Sequence, residues 1–379
     1  VGPLPLFLCS AWRATIGAME GRPVVRLCLV GFGSANKAFA EVLLERVGAL
    51  PFEPEVVAVL TGRSGWLVAK EGASLDLSSA LRAEKVQNLP GAQAGGLAQE
   101  DTIKLILQLR AEGRLDVLIE AIPTDHSSGE PALSFARAAL QVGVSVVTAN
   151  KAPVAIALKS LLELADRHGC RYLHESACMD GIPVFNMARK CLPHARISGF
   201  EGVLNSTTNV MLDCLERDAT LSFAAALKVA QDMGIAEADP SADIDGWDAA
   251  VKCVCLAQAL GIAPSATLQD VRPVEGIRGL DGAAVQKGLP KRFKLLCRGR
   301  REEGGAFSLA VTRELVEPSS PLHGVSGSSS CVTFFTDVLG PLTVVQTSPT
   351  TRDTGYGIFA DLCEACEGLV SRSKAAGSA

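Results

Sequence analysis

The chain has 379 residues, 48% of them apolar and 20% charged, with a net charge of −5. That length leaves room for two domains and that apolar share for a sizeable core, while the mixed, mildly acidic charge gives no basis for nucleic-acid binding. No apolar run approaches the roughly 18 residues a membrane span needs, so a soluble globular protein with no membrane partner is expected.

Residues 1–18 contain PLPLFLC with no basic residues before it, which makes a poor secretory signal. Residues 1–23 are therefore expected to be a disordered extension; a remnant of organelle targeting is the alternative. The twelve cysteines show no disulfide framework. Cys28, Cys253, Cys255 and Cys297 lie in apolar runs where a thiol behaves as a small hydrophobe, and Cys363–Cys366 has CxxC spacing without the second pair a zinc site needs. A reducing, cytoplasmic setting suits this usage.

VVRLCLVGFG (24–33) is a continuous apolar run ending in glycine, as in a buried parallel strand, and NKAFAEVLLERVGAL after it reads as a helix. EVVAVLTG (55–62) is a second strand, and 65–100 carries no clear period. DVLIEAIP (116–123), GEPALSFARAALQVG (129–143) and VSVVTANK (144–151) continue the alternation as strand, helix, strand. The fold class expected is α/β, a Rossmann-type doubly wound parallel sheet over 24–168 with 352–372 returning to it. Beyond about residue 170 the β-branched runs RISGFEGVLN, FSLAVTREL and SCVTFFTDVLGPLTVV flank helix-like segments at 221–233 and 247–261, so an α+β domain is expected over 169–351.

Gly31, Phe32, Gly33, Ser34 and Ala35 occupy the handover from first strand to helix, where backbone N–H groups can meet a pyrophosphate. Asn36 stands where a GxGxxG turn has its third glycine. An NAD site carries an acid at the end of the second strand. Here the sequence is Thr61-Gly62-Arg63-Ser64, so Arg63 is placed to meet a 2′-phosphate unless it is a solvated loop residue. NADP(H) is the preferred cofactor on that reading and NAD(H) the alternative. Thr124 and Lys151 end later strands at the carboxyl edge of the sheet. Thr124 could touch the nicotinamide side; Lys151 could neutralise ligand charge or simply cap the edge.

EADPSADIDGWDAAVK (237–252) packs five carboxylates into sixteen residues. A calcium loop aligned on Gly246 puts Lys252 where the bidentate glutamate belongs, which excludes calcium. Asp248 and Lys252 are spaced i, i+4 on a helix that is otherwise apolar nearly all round, so a partly buried pair is expected. Such a pair costs desolvation and points to function.

GIAEADPSADIDGWDAAVK resembles the signature of homoserine dehydrogenases, and GFGSANKAF, TANK, ESACMDGIPVF and GVLNSTTN resemble further motifs of that family in the same order, from about 25 to 365. The resemblance is to monofunctional members without a regulatory ACT domain. It implies reversible NAD(P)H-linked reduction of L-aspartate 4-semialdehyde to L-homoserine, in methionine and threonine biosynthesis, by a homodimer formed through the second domain. Residue by residue, it implies Lys252 as proton donor, Lys151 at the junction of cofactor and substrate, and Glu237 and Asp248 holding the amino-acid substrate. It further implies Asp243 and Thr207 at the substrate site, Gly234 near the cofactor, and a monovalent cation at Glu175, Cys178, Asp180 and Ile182, largely through backbone oxygens. Asn36, Ser206 and TSPTTRDTGYG depart from the glycine-rich family pattern.

These residue types suit the chemistry. An α-ammonium needs carboxylates, and an aldehyde oxygen turning into an alcohol needs a proton. Burial is expected to lower the pKa of Lys252 toward working pH, against the pull of Asp248. Two rivals stand beside this reading: a semialdehyde dehydrogenase using Cys178 as nucleophile with His174 nearby, and a non-enzymatic NADPH-binding sensor.

Overall fold

The computed structural model describes residues 21–377, so the extension expected over 1–23 lies, residues 21–23 aside, outside the described residues. Strand β1 (Val24–Val30) opens the first sheet. Its apolar run is continuous because both faces are covered: Val25, Leu27 and Leu29 feed one buried cluster, Cys28 and Val30 another. Helix α1 (Ser34–Arg46), β2 (Glu53–Leu60), the short β3 (Trp66–Val68) and helices α2 (Leu77–Arg82) and α3 (Gln99–Ala111) follow. β4 (Val117–Glu120), α4 (Ala132–Gln141), β5 (Ser145–Thr148), α5 (Lys151–Arg167) and β6 (Tyr172–Leu173) complete the layer. Strand order is β3-β2-β1-β4-β5-β6, with only β3 antiparallel. This is the doubly wound order, and it opens a ligand crevice at the β1/β4 switch point, where the connections leaving the two strands run opposite ways. The unassigned stretch 65–100 therefore supplies the edge strand β3, the short helix α2 and the start of α3.

The second sheet is built from β7 (Ile197–Val203), β8 (Val271–Val274), β9 (Arg292–Arg301), β10 (Phe307–Val316), β11 (Ser330–Thr336) and β12 (Leu342–Gln346), in the order β12-β11-β7-β9-β10-β8. β9, a central strand, was invisible in sequence because its alternate positions are cationic (RFKLLCRGRR). Between the strands run α6 (Ser206–Arg217), α7 (Phe223–Asp232) and α8 (Trp247–Ala259). Helix α8 is buried on most of its surface, from Asp248 through Ala257, because it lies between α5 of the first layer and strands β8–β10 of the second. A single buried cluster thus runs from Cys28 to Phe334. The last helix, α9 (Thr351–Gly377), crosses back onto α1, its Ile358 and Leu362 packing with Phe39 and Leu43. The crossing is so close that a Cβ on Gly355 would sit 2.5 Å from the carbonyl carbon of Ala38.

Candidate active site

The crevice at the carboxyl ends of β1, β2 and β4 is a cavity of about 420 Å³ lined by Gly31, Phe32, Gly33, Arg63 and Ile122 among others, within the size range of ligand pockets. Gly31 has φ +85°, and a Cβ there would lie 2.4 Å from the Ala121 carbonyl oxygen; a Cβ on Gly33 would meet nothing within 4 Å. The first glycine makes the turn, and the second leaves open space in front of the α1 N-terminus, as a dinucleotide phosphate requires. Asn36, buried, donates to the Gly31 carbonyl at 2.7 Å, so the residue at the missing third glycine ties turn to helix. Among the described residues no carboxylate lines this cavity, and Arg63 does.

Ser34 and Ala35 line a second cavity of about 390 Å³ with Asp180, Ser206, Ser328 and Thr354. Asp180 and Ser206 also line a third, of about 180 Å³, together with Lys151, Leu204, Lys252 and Ser330. The two cavities therefore adjoin, placing the lysines beside the nucleotide turn. Thr124 and Gly234 lie outside these linings, Thr124 half-buried after β4 and Gly234 exposed with φ +70° after α7.

Behind the third cavity sits a charged cluster. Lys151 is the first residue of α5, whose N-cap Asn150 accepts from the Ala152 N–H at 3.2 Å. Its Nζ donates to Asp248 Oδ1 at 2.5 Å. Lys252, one turn along α8 from Asp248, reaches Asp248 Oδ2 at 3.1 Å and the Leu204 carbonyl at 2.7 Å. The N-cap of α8 is Gly246, φ +86°, where a Cβ would strike the Glu275 carbonyl oxygen at 2.3 Å. Asn205 donates from Nδ2 to Asp243 Oδ1 at 2.8 Å and to Asp248 Oδ2 at 3.0 Å, and Thr207 donates to Asp243 Oδ2 at 2.7 Å.

Burial alone would raise the Asp248 carboxyl, but the ammonium groups of Lys252 and Lys151 outweigh it and hold the carboxyl well below the usual range. For Lys252, burial pulls the pKa down, and Asp248, followed by Asp180, reverses this and leaves it above its ordinary value. The lowering expected from burial is thus overturned, because the carboxylate that was to oppose it lies in direct contact.

Among the residues singled out in sequence, Lys151, Asp243, Asp248, Lys252 and Thr207 converge. Glu237 does not: it is exposed on the turn after α7 and outside the cavity lining. Glu175 is buried with its carboxylate accepting from the N–H groups of Phe185 and Asn186 at 2.7 and 2.8 Å, so its side chain is spent on that turn. Cys178 and Ile182 are buried, and Asp180 and Met179 both adopt left-handed backbone, φ +55° and +60°. Among the described residues, no group of three or more His, Cys, Asp or Glu is placed to hold a metal, and no helix is long and apolar enough to cross a membrane.

Two participants escaped the sequence reading. Asn205 could have been found as the N-cap of the helix that begins Ser-Thr-Thr. His126, on the loop after β4, lies within electrostatic reach of Lys151, Asp248 and Asp243; nothing local marks it.

Comparison with known proteins gives a consistent result. Residues 183–363 match the homoserine dehydrogenase family model. An NAD(+)-dependent homoserine dehydrogenase of Pseudomonas canavaninivorans is 34% identical over 345 residues, 89% of this chain and 95% of that one. A homoserine dehydrogenase of Methanocaldococcus jannaschii is 32% identical over 342 residues, covering 89% and 97%. The crystal structure of a homoserine dehydrogenase from Thiobacillus denitrificans superimposes with a TM-score of 0.76 at 26% identity, over 94% of this chain and 76% of that one. A hyperthermophilic archaeal homoserine dehydrogenase in complex with NADPH shares the fold, with a TM-score of 0.72 at 24% identity over 90% of this chain and 97% of that one.

Proposed function

The chain belongs to the homoserine dehydrogenase family, and we propose from that premise how its residues divide the work. It is an NAD(P)-dependent oxidoreductase that interconverts L-aspartate 4-semialdehyde and L-homoserine. The observation that carries the division of labour is Asp248, buried between two ammonium groups that face a cavity beside the nucleotide turn.

When bound, the nicotinamide supplies or takes up the hydride. Lys252 polarises the aldehyde oxygen and gives it the proton; the alkoxide is a far stronger base than an amine, so a raised lysine pKa does not prevent the transfer. Asp248 anchors both ammonium groups, and Lys151 stands beside the reacting centre as a second donor. Asp243, oriented by Thr207, serves the substrate ammonium together with Asp248. Glu237 can join them only by closure of the turn that carries it. Arg63 in a cleft without carboxylates supports NADP(H) over NAD(H). The left-handed pair Met179–Asp180 supports a monovalent cation held by backbone oxygens, and the exposed apolar residues Val345 on the edge strand β12 and Val338 and Leu339 in the turn before it support a homodimer through the second sheet. Free cysteines throughout the described residues support a cytoplasmic home.

The thiol-based rival loses its support. Burial drives the His174 imidazole down to about 3, which leaves it a weak base, and among the described residues no hydrogen bond joins it to Cys178.

The test is oxidation of L-homoserine at alkaline pH with NADP and with NAD. Turnover is expected with both and faster with NADP; no turnover with either would sink the reading. Arg63→Asp should move the NADP-to-NAD ratio of kcat/KM by at least about tenfold toward NAD, and an unchanged ratio removes Arg63 from the cofactor site. Replacing Na⁺ and K⁺ by a bulky organic cation should lower the rate, and a flat response removes the cation. Light scattering should return twice the chain mass.

A further inference from the structure

Asn205 is 4% exposed and every polar atom of its amide is engaged. Both Nδ2 hydrogens go to carboxylates, one to Asp243 and one to Asp248. Its Oδ1 accepts from the N–H and the hydroxyl of Thr208, both at 2.9 Å, capping α6. The amide cannot be reversed: flipped, its oxygen would face two carboxylates and its NH₂ a backbone N–H. Asp243 Oδ1 has no other hydrogen-bond donor among the described residues, and Asp248 Oδ2 otherwise meets only Lys252.

We infer that Asn205 is a positioning residue: its two amide hydrogens lock the carboxylate of the substrate side, Asp243, and the carboxylate that joins the two lysines, Asp248, into one geometry. The inference rests on reading this cluster as the reaction site. Its cap and its double donation are separable, because aspartate and serine both cap helices well and neither carries two hydrogens to share.

Asn205→Asp keeps the acceptor for Thr208 and removes both donated hydrogens. The introduced carboxyl faces Asp243 across the helix start, Asp248 and Lys252 from α8 and Lys151 from α5, with His126 and Asp180 farther out. Protonated, it returns one hydrogen bond; ionised, it is a third anion beside two, so its titration should appear in the rate. Asn205→Ser keeps a neutral capping oxygen and does not titrate.

The experiment measures kcat/KM for homoserine oxidation from pH 6 to 9.5 in wild type and both variants, with KM for NADP as control and thermal melting as the check on folding. Asn205→Ser should lose about tenfold at every pH, through a higher homoserine KM and a lower kcat, with the NADP KM unchanged. The deficit of Asn205→Asp should deepen at least tenfold from the acid to the alkaline end. A pH-independent Asn205→Asp deficit, or a homoserine KM unmoved in Asn205→Ser, overturns the inference and leaves Asn205 a helix cap only. If Asn205→Asp shows no cooperative melt, the KM split in Asn205→Ser decides alone. Absence of turnover in wild type would instead defeat the dehydrogenase reading itself, which separates the two failures.

Discussion

Two buried carboxylates in this molecule are driven in opposite directions. Asp248 is buried and held well below the usual carboxylate range, because Lys252 and Lys151 overcome its desolvation. Asp361, on α9 and fully buried, is pushed up to about 8: burial dominates, the Glu175 N–H offers one hydrogen bond at 2.7 Å, and no ammonium among the described residues is in contact. Its neighbour Glu175 is pushed up to about 7 for the same reason, with only the amides of Phe185 and Asn186 and the more distant Arg189 opposing. Burial sets the same cost for each, and contact with cations decides the sign. A carboxylate kept ionised between lysines can organise proton transfer; one kept protonated at neutral pH packs the seam between α9 and the first sheet.

The largest effect should come from removing the charge of Asp248. Asp248→Asn leaves two half-buried ammonium groups unbalanced and is expected to lower kcat about 10³-fold; a loss under tenfold would mean that the carboxylate is not part of the machinery. Taking the lysines singly should cost less. Lys252→Met is expected to lower kcat about 10²- to 10³-fold and Lys151→Met about 10²-fold, since each leaves Asp248 one ammonium. The reverse ranking in single-turnover rates would make Lys151 the donor.

The contrasting carboxyl should answer in stability, with activity nearly unchanged. Because folding raises the pKa of Asp361, its contribution is fully present below the unfolded value, near 3.8, and is lost as pH rises through about 8. Asp361→Asn should therefore leave kcat within about twofold and raise Tm at pH 9 by about 2 °C, with the gain vanishing near pH 5. A gain that grows toward acid pH would reverse the assignment. The smallest effect is expected from Cys178→Ala, within about threefold of wild-type kcat; complete inactivation with a retained melt would revive the thiol mechanism.

Local pattern made part of the site legible. The apolar run of β1 with Gly31 and Gly33 marked the nucleotide turn, since a parallel strand buried on both faces and a phosphate at a helix start each leave a short-range signature. The i, i+4 spacing of Asp248 and Lys252 on an apolar helix marked the buried pair. Sequence missed the strand in which charge hid the structure, the cationic β9, and gave no sign that Glu237 would lie exposed on its turn, outside the cavity lining.

The sequence by itself determined the strand–turn–helix of the nucleotide crevice, the α/β class and the Asp248–Lys252 pair, because each depends on residues within a few positions of one another. Only the tertiary structure decided that Lys151, 97 residues from Asp248, would share its carboxylate. The same holds for Asn205, which bridges Asp243 and Asp248 at 38 and 43 residues' remove, and for the rise rather than fall of Lys252's pKa. These follow from how α5, α6 and α8 meet between two sheets, and electrostatic energies over a few ångströms are set by that meeting, which no periodicity along the chain encodes.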